Sequence, residues 1–216
     1  MGMLEQAWEE REEKIFPSIF GNLGKGIYPL TFDIFSKVFK QESCDPTWLH
    51  VGVFQSPPNE SRDTWLYVSS GLSNPWYGEV QGEFSGLGTE FVIETVEESP
   101  WALNTLLNMV AYNILLAVGR FGDFPLLDYG HRIPLNSSIT SSFESNIRNL
   151  IITEPTHYPS SFSLCSGEVD LLHFIGITNE ELGFAKAQGS DRLVAILIES
   201  GVYPVTNPSR DSVVSA

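Results

Sequence analysis

The fold of this chain is decided by residues 65–95, WLYVSSGLSNPWYGEVQGEFSGLGTEFVIET. The first six residues are rich in aromatic and β-branched side chains, which suit a pleated, half-buried surface. Pro75 fixes its own φ and Gly86 admits a positive φ, so the pattern predicts a sharp turn, a loop and a second turn. The last six residues alternate in polarity, which places Phe91 and Ile93 on one face. The stretch therefore predicts two strands joined by a loop.

The composition is typical of a folded domain. Of the 216 residues, 42% are hydrophobic and 12% are aromatic, which is enough to bury a core. The most apolar stretch, residues 103–118, contains three asparagines, and the N-terminus lacks a basic-then-apolar signal pattern. We therefore predict no membrane span and a cytoplasmic location. In a reducing compartment Cys44 and Cys165 are expected to be free thiols.

The net charge of −15 comes from 12 basic and 27 acidic residues. This balance argues against a nucleic-acid partner, because binding to phosphates needs clustered Lys and Arg. It permits a basic protein partner, since complementary charge speeds encounter. Solubility alone is the alternative explanation of the charge.

The spacing of apolar residues predicts an α+β fold class. Apolar residues recur every three or four positions from Pro100 to Val118, which predicts a long helix, and Thr178 with Glu181 forms a capping box. We expect a mixed β-sheet with helices packed on its faces, in a single domain. The domain is divided into residues 1–62 with the N-terminal helix and strands, a core over 63–200 and a tail over 201–216. The further expectations are a helix over 4–16 ended by Pro17, a strand or short helix in 32–39, strands over 47–55, 148–153 and 168–177, helices over 179–188 and 190–200, and a frayed tail from 207.

The sequence contains no recognisable catalytic set. Lys25 in a glycine-rich segment is followed by Gly26, where a phosphate loop needs Ser or Thr, and the four histidines lack metal-ligand spacing. We therefore predict no cofactor and no metal. Glu90, at a strand start, is expected to accept turn amides or to face a binding groove, and His131 is expected to pin a long loop. Glu94 is expected on a solvated face with its neighbouring glutamates.

Four ordered blocks resemble the suppressor of fused family, and their shared order and spacing make the resemblance specific. The blocks are the opening stretch, IITEP at 151–155, GEVDLLHFIGITNEEL at 167–182 and AKAQGSDRLVAIL at 185–197. The motif SGLSNPW at 70–76 is similar to the sequences of the bacterial, stand-alone branch of the family.

The resemblance implies a protein-binding role without catalysis. In animals the family clamps an extended peptide between this domain and a second one, and the peptide adds as a strand. A chain of 216 residues is expected to be too short for the second domain. Tyr112 matches a tyrosine of the animal groove, whereas Gly130 stands where the animal pattern has an acid before His131. Bacterial members are thought to include immunity proteins that neutralise toxins.

Our main hypothesis is a non-enzymatic protein–protein interaction domain of the suppressor of fused type, acting as a bacterial toxin-immunity protein or a related interaction protein. Its partner is expected to be a basic toxin or an extended peptide, with no nucleic acid and no membrane, and the chain itself a monomer or weak homodimer. The predicted partner-binding residues are Glu90, Trp76, Tyr77, Tyr112, Tyr129 and His131.

Two alternatives remain open. The first is an enzyme or small-ligand binder that uses a pocket near the loop at 119–135, with His131, Tyr129 and Glu90 as its polar groups. The second is a structural homo-oligomer, which is suggested by the aromatic residues Trp76, Tyr77 and Phe84.

Overall fold

The computed structural model describes residues 2–76, 78 and 80–214. These residues form an α+β domain with one mixed sheet of eight strands, which confirms the predicted fold class. The strand order is β1-β2-β3-β4-β8-β6-β5, and β7 also pairs with β8. Strands β4 and β8 run parallel, and the other neighbouring pairs are antiparallel. The strands are β1 (Tyr28–Pro29), β2 (Gly52–Ser56), β3 (Trp65–Ser70), β4 (Phe84–Thr95), β5 (Arg132–Pro134), β6 (Ile147–Thr153), β7 (Ser161–Leu164) and β8 (Gly167–Thr178).

The helices begin with a continuous N-terminal helical segment, in which α1 (Met3–Trp8) passes through the π-helical residues Glu9–Ile15 into α2 (Phe16–Phe20). Short helical turns follow at Ile34–Val38 and Pro46–His50. The remaining helices are α3 (Pro100–Ala117), α4 (Asn179–Gln188) and α5 (Ser190–Glu199).

The helices cover both faces of the sheet. Phe91 and Ile93 of β4 belong to the core under α3, whereas Val92, between them, belongs to the core under the N-terminal helical segment. This confirms the predicted alternation, since successive side chains of a strand point to opposite faces. Helices α4 and α5 pack on the second face, which is the face that the N-terminal helical segment also covers, over Ile175 and Ile177 of β8. The second face is therefore covered by two separate helical units.

The capping box that opens α4 is present as predicted. The Thr178 backbone amide donates to Oε2 of Glu181 at 2.9 Å, and the Glu181 amide donates to the Thr178 hydroxyl at 3.3 Å. These bonds satisfy two backbone amides that the first turn of a helix otherwise leaves without partners.

Three predictions from the sequence are wrong. Pro17 does not end the first helix, which continues to Phe20. The Phe16 amide donates to the Arg11 carbonyl, five residues earlier, and this wider turn gives the proline ring more room than a regular α-helical turn. Residues 47–50 are helical before β2 begins, although a strand was predicted from residue 47, whereas the helical turn at 34–38 is one of the two alternatives predicted for residues 32–39. The tail is not frayed over residues 207–214, since Arg210 binds the buried Glu181. The short strands β5 and β7 were not predicted, because runs of three or four residues carry little periodicity.

Candidate partner-binding groove

The turn at residues 70–76 is held by a buried carboxylate. Glu90 is 0% exposed and accepts the backbone amides of Gly71 at 2.8 Å and Ser73 at 3.0 Å. Arg11, also fully buried, donates to the Ser73 hydroxyl at 3.0 Å and places Nη1 3.9 Å from Oε1 of Glu90. Glu90 therefore receives turn amides, as the sequence indicates. Because it contacts no solvent, any influence on a partner passes through the turn.

A groove of about 540 Å³ lies between α3, β5 and the loop that joins them. Tyr112 of α3 lines it, and its ring stacks on Phe39 with centroids 6.2 Å apart and lies 5.1 Å from Phe121. Phe124, which is 68% exposed, and His131 line the same groove. The groove is thus an aromatic surface open to solvent, which is typical of a site for an apolar anchor of a partner.

Strand β5 forms the edge of the sheet next to this groove. The amide of Leu135 donates to Arg148 of β6 at 2.9 Å, and antiparallel strands alternate the direction of these groups. The peptide groups of Arg132 and Pro134 therefore point away from the sheet. Since proline has no N–H, Arg132 supplies the one outward-facing amide of this strand, together with two outward-facing carbonyls. An added strand can pair here over a short length only, which limits edge-to-edge aggregation.

The side chain of Arg132 fixes this edge to the neighbouring helix. Its Nη1 donates to the carbonyl of Ala185, in the last turn of α4, at 2.6 Å. A cation at a helix C-terminus is stabilised by the negative end of the helix dipole. The edge strand is therefore held in place before any partner arrives.

His131 pins the loop as predicted. Its Nδ1 accepts the backbone amide of Asp128 at 3.3 Å, and its carbonyl accepts the amide of Ile152 at 2.9 Å. The acceptor role of Nδ1 places the ring proton of the neutral form on Nε2.

The other predicted site residues lie elsewhere. The Tyr129 hydroxyl lies 3.3 Å from the Leu171 carbonyl, and burial raises the pKa of that hydroxyl. Trp76 packs against Trp8 and His50, and Tyr77 lies outside the described residues. Tyr112 and His131 therefore share the groove, whereas Glu90 and Tyr129 do not line it. The pocket that we hypothesised from His131, Tyr129 and Glu90 is not formed by these side chains.

Reasoning from the sequence missed Phe39, Phe124 and Arg132 as groove residues. The bulky apolar residues of the long loop were the available signal for Phe124. The sequence carries no such signal for Phe39, because Phe39 lies far from Tyr112 along the chain and contacts it only in the folded protein.

A second, polar cavity of about 450 Å³ lies on the opposite face of the sheet and is lined by Glu94, Arg62 and Tyr158. Glu94 is 2% exposed, so the prediction of a solvated face is wrong: its side chain points to the face that the N-terminal helical segment covers. One carboxylate oxygen accepts the Thr64 hydroxyl at 2.9 Å, and the other has no partner among the described residues. Burial raises the pKa of Glu94.

His173 lies on the same face and is almost fully buried, with Nδ1 3.0 Å from the Tyr158 hydroxyl. Burial, assisted by His157, lowers the pKa of His173 to about 3. Below about pH 6.5 the unfolded chain therefore takes up a proton that the folded chain does not, so stability falls as the pH falls. Glu94 acts in the opposite direction, because its raised pKa makes stability fall as the pH rises above its unfolded value.

We expect the His173 contribution to appear as a pH slope. As the pH falls from about 6.5 to about 4, protonation of His173 in the unfolded chain lowers the free energy of unfolding by about 1.4 kcal/mol for each pH unit. His173→Phe, which keeps a ring beside Tyr158, should remove this slope. The measurement is urea unfolding of both proteins across this range, with Glu94→Gln to remove the opposing effect. Identical slopes for wild type and His173→Phe would contradict the assignment.

Among the residues that the structure describes, no cluster of three or more His, Cys, Asp or Glu side chains could hold a metal ion. Within the same residues, no helix is both long enough and apolar enough to cross a bilayer.

Strand β5 and the groove residues other than Phe39 lie within the part of the chain that matches a known family. The family model described as "Suppressor of fused protein (SUFU)" matches residues 47–211. The chain belongs to the suppressor of fused family. This confirms the resemblance of the four blocks. The comparison with curated proteins found no match.

Solved structures of suppressor of fused proteins share the fold. A chain from the Sufu–Fu complex is 21% identical, with a TM-score of 0.61, and the match covers 84% of this chain and 89% of that one. A putative suppressor of fused homolog from Neisseria gonorrhoeae is 20% identical, with a TM-score of 0.60 and coverage of 86% and 95%. Drosophila Suppressor of Fused is 20% identical, with a TM-score of 0.60 and coverage of 76% of this chain. This chain spans 42% of the length of the Drosophila protein.

Proposed function

We propose that this protein binds an extended segment of a partner protein, which adds as a strand to the outer edge of β5. The observation that carries the proposal is the open edge of β5 beside the aromatic groove of Tyr112. Main-chain hydrogen bonds to Arg132 and Pro134 provide affinity, and the groove receives a side chain of the segment, which provides specificity. Membership of the family supports this role, as does the Sufu–Fu complex, in which a related chain has a protein partner.

The protein acts in this proposal by binding rather than by catalysis, and its partner is a basic toxin that it neutralises. The net charge of −15 supports a basic partner, because complementary potentials raise the rate of encounter. The immunity function is the finer part of the proposal, and a partner without toxicity contradicts that part alone.

Arg132→Pro tests the edge strand directly. Proline removes the outward-facing amide without touching the bonds between β5 and β6, so we expect at least about a tenfold loss of affinity. Arg132→Ala is the matched control, because it also loses the bond to Ala185 but keeps the amide. Both variants are tagged and expressed in the native host, and proteins that co-purify are identified by mass spectrometry.

The proposal predicts one dominant partner, in near-equal amount, with wild type and Arg132→Ala but not with Arg132→Pro. The affinity of the purified partner for each variant then gives the size of the loss. Equal binding by the two variants contradicts strand addition at β5. Growth rescue of cells that express the partner, by wild type but not by Arg132→Pro, tests the immunity function.

A further inference from the structure

Strand β7 forms another exposed edge of the sheet, separate from β5, because it pairs with β8 on one side only. The Leu171 amide of β8 donates to the Ser160 carbonyl at 2.7 Å, and peptide groups of antiparallel strands alternate in direction. Those of Ser161 and Ser163 therefore point away from β8. Both residues are exposed, and among the described residues no hydrogen bond involves their backbone groups. The edge thus offers two amides and two carbonyls to an added strand.

This edge is bounded at both ends. Pro159, just before the strand, has no N–H with which to continue the series. At the other end the amide of Cys165, the next residue in the alternation, donates to Oε2 of Glu10 at 2.7 Å. The N-terminal helical segment therefore closes the edge there, and an added strand has its main-chain bonds at Ser161 and Ser163.

The side chains along the edge divide between the two faces of the sheet. Ser161 lies opposite Asp170 and Ser163 lies opposite Glu168, and directly opposite residues share a face. The Ser163 hydroxyl donates to Oε1 of Glu168 at 2.6 Å, which agrees with this. Phe162, between the serines, belongs to the core of the other face. One face of the edge therefore carries two small hydroxyl side chains with two carboxylates directly behind them.

These carboxylates belong to a larger acidic surface. Burial raises the pKa of Asp170, and the nearby carboxylates of Asp128, Glu168 and Glu154 raise it further. Within the part of the chain that the structure describes, none of the four forms an ion pair with a Lys, Arg or His side chain. A cation would relieve their mutual repulsion, whereas an anion would add to it. The charge beside the edge therefore favours a basic segment.

The spacing of strands shows how such a segment would fit. Adjacent strands lie about 4.8 Å apart, so a strand added to β7 would lie about 10 Å from β8. A lysine opposite Ser161 shares its face, and its long side chain can extend over the small serine toward Asp170. We propose that the outer edge of β7 binds a basic extended segment of a partner protein, with lysines at every second position on the face of Glu168 and Asp170. The inference rests on β7 alone and is independent of the proposed site at β5.

The test uses synthetic peptides and the full chain labelled with ¹⁵N. The parent probe is acetyl-Lys-Val-Lys-Val-Lys-Val-Lys-amide, and a second peptide has glutamate in place of each lysine. The backbone amide signals of Ser161 and Ser163 are followed by NMR during each titration. We expect the lysine peptide to shift both signals, and the glutamate peptide to bind at least about tenfold more weakly, because like charges repel.

Two methylated peptides test the main-chain bonds. In the proposed pairing the lysine amides face β7 and the valine amides face solvent. Methylation of every lysine backbone nitrogen should therefore lower the affinity at least about tenfold, because it removes these donors. Methylation of every valine backbone nitrogen is the matched control, and we expect it to leave the affinity nearly unchanged.

Ser163→Pro makes the same test on the protein, since it removes an outward-facing amide. Ser163→Ala is its control, because both variants lose the hydroxyl bond to Glu168 but the alanine keeps the amide. We expect about a tenfold loss of affinity for the lysine peptide with Ser163→Pro and little change with Ser163→Ala. If Ser163→Pro does not fold, the methylated peptides decide the question with the wild-type protein.

Three results overturn the inference. Equal affinity for the parent peptide and its lysine-methylated form shows that charge alone attracts the peptide and that no strand is added. Equal affinity for the lysine and glutamate peptides excludes the selection by charge. Shifts confined to Arg132 and its neighbours place the peptide at β5 instead. The inference predicts that Arg132→Pro keeps the shifts of Ser161 and Ser163, so its failure is distinguishable from failure of the site at β5.

Discussion

Replacement of Arg11 by Ala should lower the free energy of unfolding by about 3–5 kcal/mol, because it breaks a fully buried charged network. The guanidinium donates from Nε to the Ser70 hydroxyl at 2.8 Å and from Nη1 to the Ser73 hydroxyl at 3.0 Å. It is also the cation nearest to the buried Glu90 carboxylate, at 3.9 Å. Without it, Glu90 stays buried beside neutral donors only, and a cavity opens between the N-terminal helical segment and the sheet. The measurement is urea unfolding at neutral pH.

Two variants of the same segment separate the causes of this loss. Arg11→Lys keeps a cation but loses the planar fork that reaches two hydroxyls, so we expect an intermediate loss. Lys14→Ala removes an exposed ion pair with Glu9 and should leave the unfolding midpoint nearly unchanged. If Arg11→Ala unfolds at the same urea concentration as Lys14→Ala, the network is not a main source of stability.

Arg11 also shows what the sequence can and cannot reveal. It follows Ala7 by four residues and Trp8 by three, so the helical spacing places it on the same face as these apolar side chains. The partner was not visible, because Glu90 lies far away along the chain and reaches Arg11 only when β4 joins the sheet. Strands and helices follow from local periodicity. The pairing of two buried charges does not.

The same limit applies to the groove and to the short elements. The long helix α3 was predicted with its bounds nearly correct, because its apolar spacing persists over five turns. The segment at 32–39 was ambiguous, since a few apolar residues fit either a strand or a helical turn. The groove itself joins Phe39, Tyr112 and β5 from three separate parts of the chain. Of these, only Tyr112 was predicted, and it came from the family resemblance rather than from a pattern.

The C-terminal tail was predicted as frayed because its composition is polar, but one charged residue anchors it. Arg210 donates from Nη1 to Oε1 of Glu181 at 2.6 Å and from Nη2 to Oε2 at 2.7 Å, and a further bond reaches the Gly176 carbonyl at 2.9 Å. Glu181 is fully buried, and its Oε1 also accepts the Val213 amide at 3.0 Å. A bidentate pair of this kind holds the tail against α4 and β8, and composition alone cannot reveal it.

We expect Arg210→Ala to lower the free energy of unfolding by about 3 kcal/mol, because it leaves the buried Glu181 carboxylate without its cation. The capping box of α4 shares this carboxylate through the Thr178 amide, so the loss should extend to the helix. Urea unfolding measures the loss, and hydrogen exchange should show faster exchange of the Val213 amide.

Arg148→Ala is the matched control for this second prediction, because Arg148 pairs with Glu144, which is 80% exposed. A surface pair of this kind contributes about 0–1 kcal/mol. Glu181→Gln completes the test, since it removes the buried charge but keeps the shape of the side chain. If the charge left behind causes most of the loss, Arg210→Ala with Glu181→Gln should be more stable than Arg210→Ala alone. A double variant less stable than Arg210→Ala would show instead that the hydrogen bonds of Glu181 to the capping box and the tail dominate.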